Sequence, residues 1–133
     1  MTDQERIQAF FESGPHAIVG ASRDRSKYGN MVLRAFQQNG LVVFPVNPNA
    51  DQVEGLKAYP NVASLPETVA GVCVITPPHV TDSIIDQAGC LGIKNIWLQP
   101  GAESEQGVQR ATQLGMNVVS GGPCVLVALR FHG

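Results

Sequence analysis

His16-Ala-Ile-Val-Gly20-Ala-Ser-Arg-Asp24 decides how this chain is read. Four residues of strand-like apolar character run straight into a glycine turn. A basic segment, Arg23, Arg25 and Lys27, follows, and a helical pattern opens around Gly29-Asn30. A strand that turns tightly into a helix aims free backbone N–H groups and the positive end of a dipole at one point, an arrangement that attracts phosphate. The stretch therefore speaks of a phosphorylated ligand, in the first instance a nucleotide.

Outward from it the same unit recurs. Residues 3–13 carry Ile7, Phe10 and Phe11 at helical spacing before Gly14-Pro15. Met31 to Asn39 reads as a helix stopped by Gly40. Leu41 to Phe44 reads as a strand that Pro45-Val-Asn-Pro48 breaks, and Val72 to Ile75 as a strand before Thr76-Pro-Pro78. Val80, Ile84, Ala88 and Leu91 mark a helix behind a first-turn proline. Asn95 to Leu98 is a strand that runs into Gln99-Pro-Gly101. A helix follows to Gly115, and Met116 to Val119 is the last clear strand. The segment 49–67 is long for a loop, and a short strand is expected near Leu56 to Tyr59.

Short alternating units whose strands are apolar on both faces predict an α/β fold. The expectation is one domain over 1–133, a Rossmann-like, doubly wound, mostly parallel sheet with helices on both faces. Ligands of such sheets bind beyond the carboxyl ends of the strands, at the switch point. The turns at Gly20, Asn47-Pro48, Thr76-Pro77 and Gln99-Gly101 should converge there.

Composition narrows the classes. The 133 residues are 44% hydrophobic and 15% charged, a globular mixture. Nine Lys and Arg against eleven Asp and Glu give a net charge of -2, which argues against a general nucleic-acid binder. No apolar stretch is long enough for a membrane span. A polar N-terminus and three cysteines without metal-ligand spacing (Cys73, Cys90, Cys124) suit a cytoplasmic protein. His16, His79 and His132 are scattered, so no metal site is expected.

The usual dinucleotide fingerprint, G-x-G-x-x-G, is incomplete, because Ala21 and Ser22 follow Gly20. An NAD site also wants a carboxylate at the end of the second strand. Between Asp24 and Asp51 there is none, and the strand ends in Val46-Asn-Pro48. That neutral tip suits a ribose bearing a phosphate. Two like charges ~4 Å apart would cost roughly 4 kcal/mol at an effective dielectric near 20. No Gly-Lys-Ser/Thr follows Gly20, so a triphosphatase loop is absent as well.

Taken in order, Gly20-Ala-Ser-Arg-Asp24, Lys27-Tyr-Gly-Asn30, Phe44-Pro-Val-Asn-Pro48 and Trp97-Leu-Gln-Pro-Gly101 resemble the small coenzyme A-binding proteins and the N-terminal domain of the succinyl-CoA synthetase alpha subunit. The likeness runs from about Gly14 to Cys124. It implies a Rossmann-like domain that takes coenzyme A or an acyl-CoA. Gly20, Ala21, Ser22, Arg23 and Lys27 would hold phosphates, with Asn30 at the helix start. Asn47, Pro48, Thr76 and Pro77 would flank the nucleotide, and Gln99 and Gly101 would lie toward the pantetheine arm. Two departures limit it. Val125 to Arg130 stands where the family usually carries a Glu-His pair, and these 133 residues include no domain with a phosphorylated histidine, so the resemblance implies binding without ligase chemistry.

Each residue also has a plain structural reading. Ser22 and Asn47 can cap their own turns, Arg34 can be exposed helix surface, and Trp97 and Cys73 can be sheet core. No catalytic constellation emerges, since Asp24, His79 and Cys124 each lack an activating neighbour. The expectation is a non-catalytic or regulatory coenzyme A binder. The alternatives are a small NAD(P)-dependent oxidoreductase, the nucleotide-binding subunit of an acyl-CoA ligase-type enzyme, or an interaction domain. In the last case Val125 to Phe131 would serve as a homodimer interface or an added strand.

Overall fold

A computed structural model describes residues 1–133. Five parallel strands form the sheet: β1 (His16–Val19), β2 (Val43–Val46), β5 (Gly71–Val74), β6 (Asn95–Leu98) and β7 (Asn117–Val119), in the order β2-β1-β5-β6-β7. The remaining pair, β3 (Gln52–Val53) and β4 (Leu56–Lys57), is a separate antiparallel hairpin. Its tip, Glu54-Gly55, has φ of 48° and 79°, as a two-residue hairpin with matching twist requires. The expected strand near Leu56 to Tyr59 is thus half hairpin; Tyr59 itself bridges to Val46.

Strand residues alternate between two apolar layers. Ala17, Val19, Val72, Val74, Ile96 and Leu98 face the layer covered by α3 (Pro78–Cys90) and α4 (Glu105–Gln113). Ile18, Cys73, Trp97 and Val119 face the other layer, with α1 (Asp3–Glu12), α2 (Tyr28–Gln38) and α5 (Val125–Ala128). Burial on both faces is why these strands read as continuous apolar runs. Trp97 is fully buried against Phe10 and Phe11, and its Nε1–H donates to the Pro123 carbonyl at 3.1 Å. Truncating a buried aromatic of this kind to alanine costs about 3–5 kcal/mol.

Two expectations change. Pro45 does not end the second strand, which runs on to Val46. β2 is the sheet's edge, and the Pro45 carbonyl accepts from Tyr59 N–H at 3.0 Å on the outer side. The position where proline lacks an N–H therefore faces away from β1, where no ladder bond is lost. The run after Cys124 is not an added strand either. It forms the single turn α5, with Val125 buried and Leu126, Leu129 and Phe131 packed on the chain's own core.

In sequence order the five strands of the sheet run 2-1-3-4-5, so the topology reverses between β1 and β5. No helix is long and apolar enough to cross a membrane.

Candidate functional site

At that reversal lies a cleft of about 1020 Å³. Its walls are the loop Gly20 to Ser22, the start of α2 from Ser26 to Gly29, the tip of β2 from Val46 to Asn49, Pro60 to Val62, and Ile75 to Pro77. The inner face of α3 closes it with Val80, Ser83, Ile84 and Gln87. No aspartate or glutamate lines this cleft, and Lys27 is its one charged wall residue.

Two glycines make the turn. Gly20 has φ of 97°, a backbone state that side chains rarely adopt. Gly29, in the first turn of α2, lies so close to β1 that a Cβ would fall on the Gly20 carbonyl. That closeness brings the start of α2 onto the end of β1, the task that the third glycine of a dinucleotide fingerprint performs. The N–H groups of Ala21, Ser22, Tyr28 and Gly29 donate to no protein acceptor, and the N-cap of α2, Lys27, supplies no side-chain bond. Anions are favoured where such donors meet the helix dipole.

Between these glycines the loop is knotted on Asp24. Ser26 N–H and Oγ donate to its Oδ1 at 2.9 and 2.6 Å, Lys27 N–H donates to its carbonyl at 3.0 Å, and its own N–H donates to Ser22 Oγ at 3.0 Å. The Ser26 hydroxyl and then the Ser26 amide hold the exposed Asp24 carboxyl below its ordinary range. Asp24 is thus a fastener of the turn, and the Ser22 hydroxyl is engaged in the same turn.

Of the candidates named from sequence, the cleft gathers Gly20, Ala21, Ser22, Lys27, Asn47, Pro48, Thr76 and Pro77. Asn47 also fixes its own turn: Nδ2 donates to the Ala21 carbonyl at 2.8 Å and Oδ1 accepts from Asn49 N–H at 2.7 Å. Thr76 shares a 2.8 Å hydroxyl bond with the buried Thr81, which sequence reading passed over.

Four candidates lie outside the cleft walls. Arg23 lines a separate polar hollow with Asp51, Gln52, Glu54 and Gly55. Asn30 is fully buried, and its Nδ2 donates to the Ser22 carbonyl and to Glu54 Oε2 at 2.9 and 3.0 Å. Gln99 is 3% exposed, and its amide reaches Cys124 Sγ at 3.4 Å while accepting from Val125 N–H at 2.8 Å. Gly101 is exposed beyond β6, with φ of 95°.

Arg34 departs from the plain reading as exposed surface. Nε donates to Asn30 Oδ1 at 2.7 Å, Nη2 donates to the Arg25 carbonyl at 3.0 Å, and the guanidinium sits over the Phe131 ring. Arg25 is paired with Glu54 at 3.3 Å. The residue that sequence reading missed most completely is Glu54, since nothing in a Glu-Gly hairpin tip announces a contact 24 positions upstream.

Two further titratable groups, Cys73 and His16, sit apart from the cleft. Cys73 is buried, and that burial, with the neighbouring Cys124, pushes its thiol well above the ordinary range. His16 is buried among Phe10, Phe11 and Phe36, with Nε2–H on the Phe10 carbonyl at 2.7 Å and Nδ1 unpaired. No group of three His, Cys, Asp or Glu is placed to hold a metal ion.

Residues 16–130 match the family described as the CoA binding domain. Acetate–CoA ligase (ADP-forming) II of Archaeoglobus fulgidus is 32% identical over 97 residues, which cover 71% of this chain and 14% of the ligase. The alpha subunit of the corresponding enzyme II of Pyrococcus furiosus is 28% identical over 130 residues, 90% of this chain and 28% of the subunit. The chain thus spans well under a third of either curated relative. A hypothetical protein from Pyrococcus horikoshii superposes with a TM-score of 0.90 at 28% identity, over 100% of this chain and 94% of that one.

Proposed function

The chain belongs to the CoA-binding domain family, and from that premise we propose that the cleft between β1 and β5 holds coenzyme A or an acyl-CoA. The observation that carries this is the set of unpaired N–H groups at Ala21, Ser22, Tyr28 and Gly29, in residues that line a cleft without a carboxylate. Phosphate oxygens take those donors and Lys27 adds the full charge. Asn47, Pro48, Thr76 and Pro77 flank the nucleotide, and the pantetheine arm leaves past the exposed Gly101. Arg23 meets the ligand only at its solvent side. Asn30 and Gln99 act by holding the loops in place.

The same domain works as a binding component whose chemistry, where there is any, comes from other polypeptide. The cleft walls hold no carboxylate, histidine or cysteine to act as nucleophile or base. The ligase relatives favour a second reading, in which this domain is the nucleotide-binding part of an acyl-CoA ligase assembly.

A thermal-shift panel tests the ligand. Coenzyme A at 100 times its dissociation constant adds about 2.7 kcal/mol to stability, and NAD, NADP and ATP at equal concentration add much less. A larger shift with NAD would refute the proposal. Turnover of acetyl-CoA by the isolated chain would refute the non-catalytic role.

A further inference from the structure

The phosphate-type loop has a second support that is not part of its own turn. Glu54, at the tip of the β3–β4 hairpin, sends one carboxylate oxygen to the Nδ2 of buried Asn30 at 3.0 Å and the other to Arg25 Nη1 at 3.3 Å. Its carbonyl accepts from Gln37 Nε2 at 3.2 Å, which moors the hairpin to α2. Asn30 Nδ2 also holds the Ser22 carbonyl, while Arg34 links Asn30 Oδ1 to the Arg25 carbonyl. The buried Asn30 amide thus has its donors and its acceptor engaged, and two loop carbonyls are fixed through this one cluster.

A peptide unit is planar, so a fixed carbonyl also fixes the direction of the N–H that follows it. Holding the Ser22 and Arg25 carbonyls therefore orients the loop on both sides of the Asp24 knot. Preorganised donors bind an anion without first having to be ordered. Removing the Glu54 carboxylate leaves a fully buried Asn30 N–H without its acceptor, an imbalance that draws the amide away from Ser22.

We propose that Glu54 is a positioning residue: its carboxylate, delivered by the β3–β4 hairpin, holds the Gly20–Lys27 loop in its anion-ready form through Asn30. The Arg25 pair is secondary, because the Arg25 side chain is 64% exposed, whereas that of Glu54 is 18% exposed. The consequence for ligand binding rests on the coenzyme A reading above; the consequence for loop order does not.

Glu54 occupies a left-handed position with φ of 48°, which makes Glu54→Gly the informative variant. Glycine relieves that backbone while deleting the carboxylate. The amides of Asp24, Ser26 and Lys27, all bonded within the loop, report loop order by hydrogen exchange without ligand. In Glu54→Gly they should exchange about tenfold faster, as loss of a charged hydrogen bond implies, while the β1 and β5 amides exchange as in wild type. Coenzyme A affinity measured by calorimetry should fall by a similar factor. Glu54→Gln, which keeps an acceptor for Asn30, should restore both readings to within about threefold, as should Arg25→Met.

Unchanged loop exchange in Glu54→Gly overturns the proposal. So does a Glu54→Gln variant as impaired as Glu54→Gly, or faster exchange spread across the β1 and β5 amides together with a lower melting temperature. If wild-type protein takes up no coenzyme A, the ligand reading falls, and the exchange arm still decides the role of Glu54.

Discussion

Gly29→Ala sets two well-known effects against each other, and the structure says which wins. Alanine inside a helix is favoured over glycine by about 0.8–1 kcal/mol, so on propensity alone the variant should be more stable. The added Cβ, however, lands on the backbone carbonyl of Gly20, with the Ala21 Cα also within 3.3 Å. Neither is the far end of a flexible side chain that can swing aside. The whole first turn of α2 must move off β1. Overpacking of this sort costs typically about 1–3 kcal/mol, and backbone against backbone belongs at the upper end. The net expectation is a loss of about 2 kcal/mol, which at this chain length lowers the melting temperature by about 8 °C. Scanning calorimetry measures this directly, and calorimetric titration of the same sample should show coenzyme A affinity falling as well. A Gly29→Ala protein that melts at or above wild type would refute the reasoning, because propensity would have won and α2 would not be pressed onto β1.

Gly89→Ala is the converse case. The nearest atom to a Cβ there is Leu114 Cδ1 at 2.9 Å, a side-chain end that can rotate away, so urea denaturation should show unchanged or up to about 1 kcal/mol greater stability. Lys27→Ala should weaken coenzyme A by about tenfold in calorimetric titration, and dephospho-coenzyme A by less if the amine meets the 3′-phosphate; unchanged affinity for both would remove Lys27 from the site. Burial holds the His16 imidazole below its usual pKa of 6.5, the Phe10 carbonyl opposing only in part. The unfolded chain then takes up the proton first, so stability is complete above 6.5 and declines as pH falls from 6.5 toward the folded value. Urea midpoints between pH 7.5 and 5.5 should fall for wild type and stay level for His16→Gln; parallel profiles would exclude His16 as the cause.

The fold was legible because its signals are local. Gly20 stands where the chain must take a positive φ, and strands buried on both faces leave no polar alternation to confuse with anything else. The loops that wall the candidate cleft were legible in part for the same reason, since the strand tips carrying Asn47 and Thr76 bring their own turn residues to the sheet edge. What failed to read out was long-range. Gln99 looks like a cleft residue from its place after β6, but its amide is spent on Cys124 and Val125, 25 and 26 positions away. Arg34 looks like surface, yet its spacing of four from Asn30 was a usable sign of the bond they make. Pro45 breaks an inner strand but not an edge strand, and its place at the sheet's edge is not written in the local sequence. Gly29 marks the opening of a helix in the sequence, and only its approach to Gly20 in space shows why a glycine stands there.

The manner in which β2 closes its flank has a bearing on assembly. An uncovered outermost strand invites another polypeptide to zip alongside it, the route to runaway fibrils and to swapped oligomers. Here that seam offers Pro45, with no hydrogen to give, and a carbonyl already claimed by Tyr59, which also lends its own oxygen to Asn47 N–H at 2.9 Å. The β2 flank is thereby a poor template for strand addition, and the backbone at the tip of β2, which walls the cleft, stays tied to its own chain.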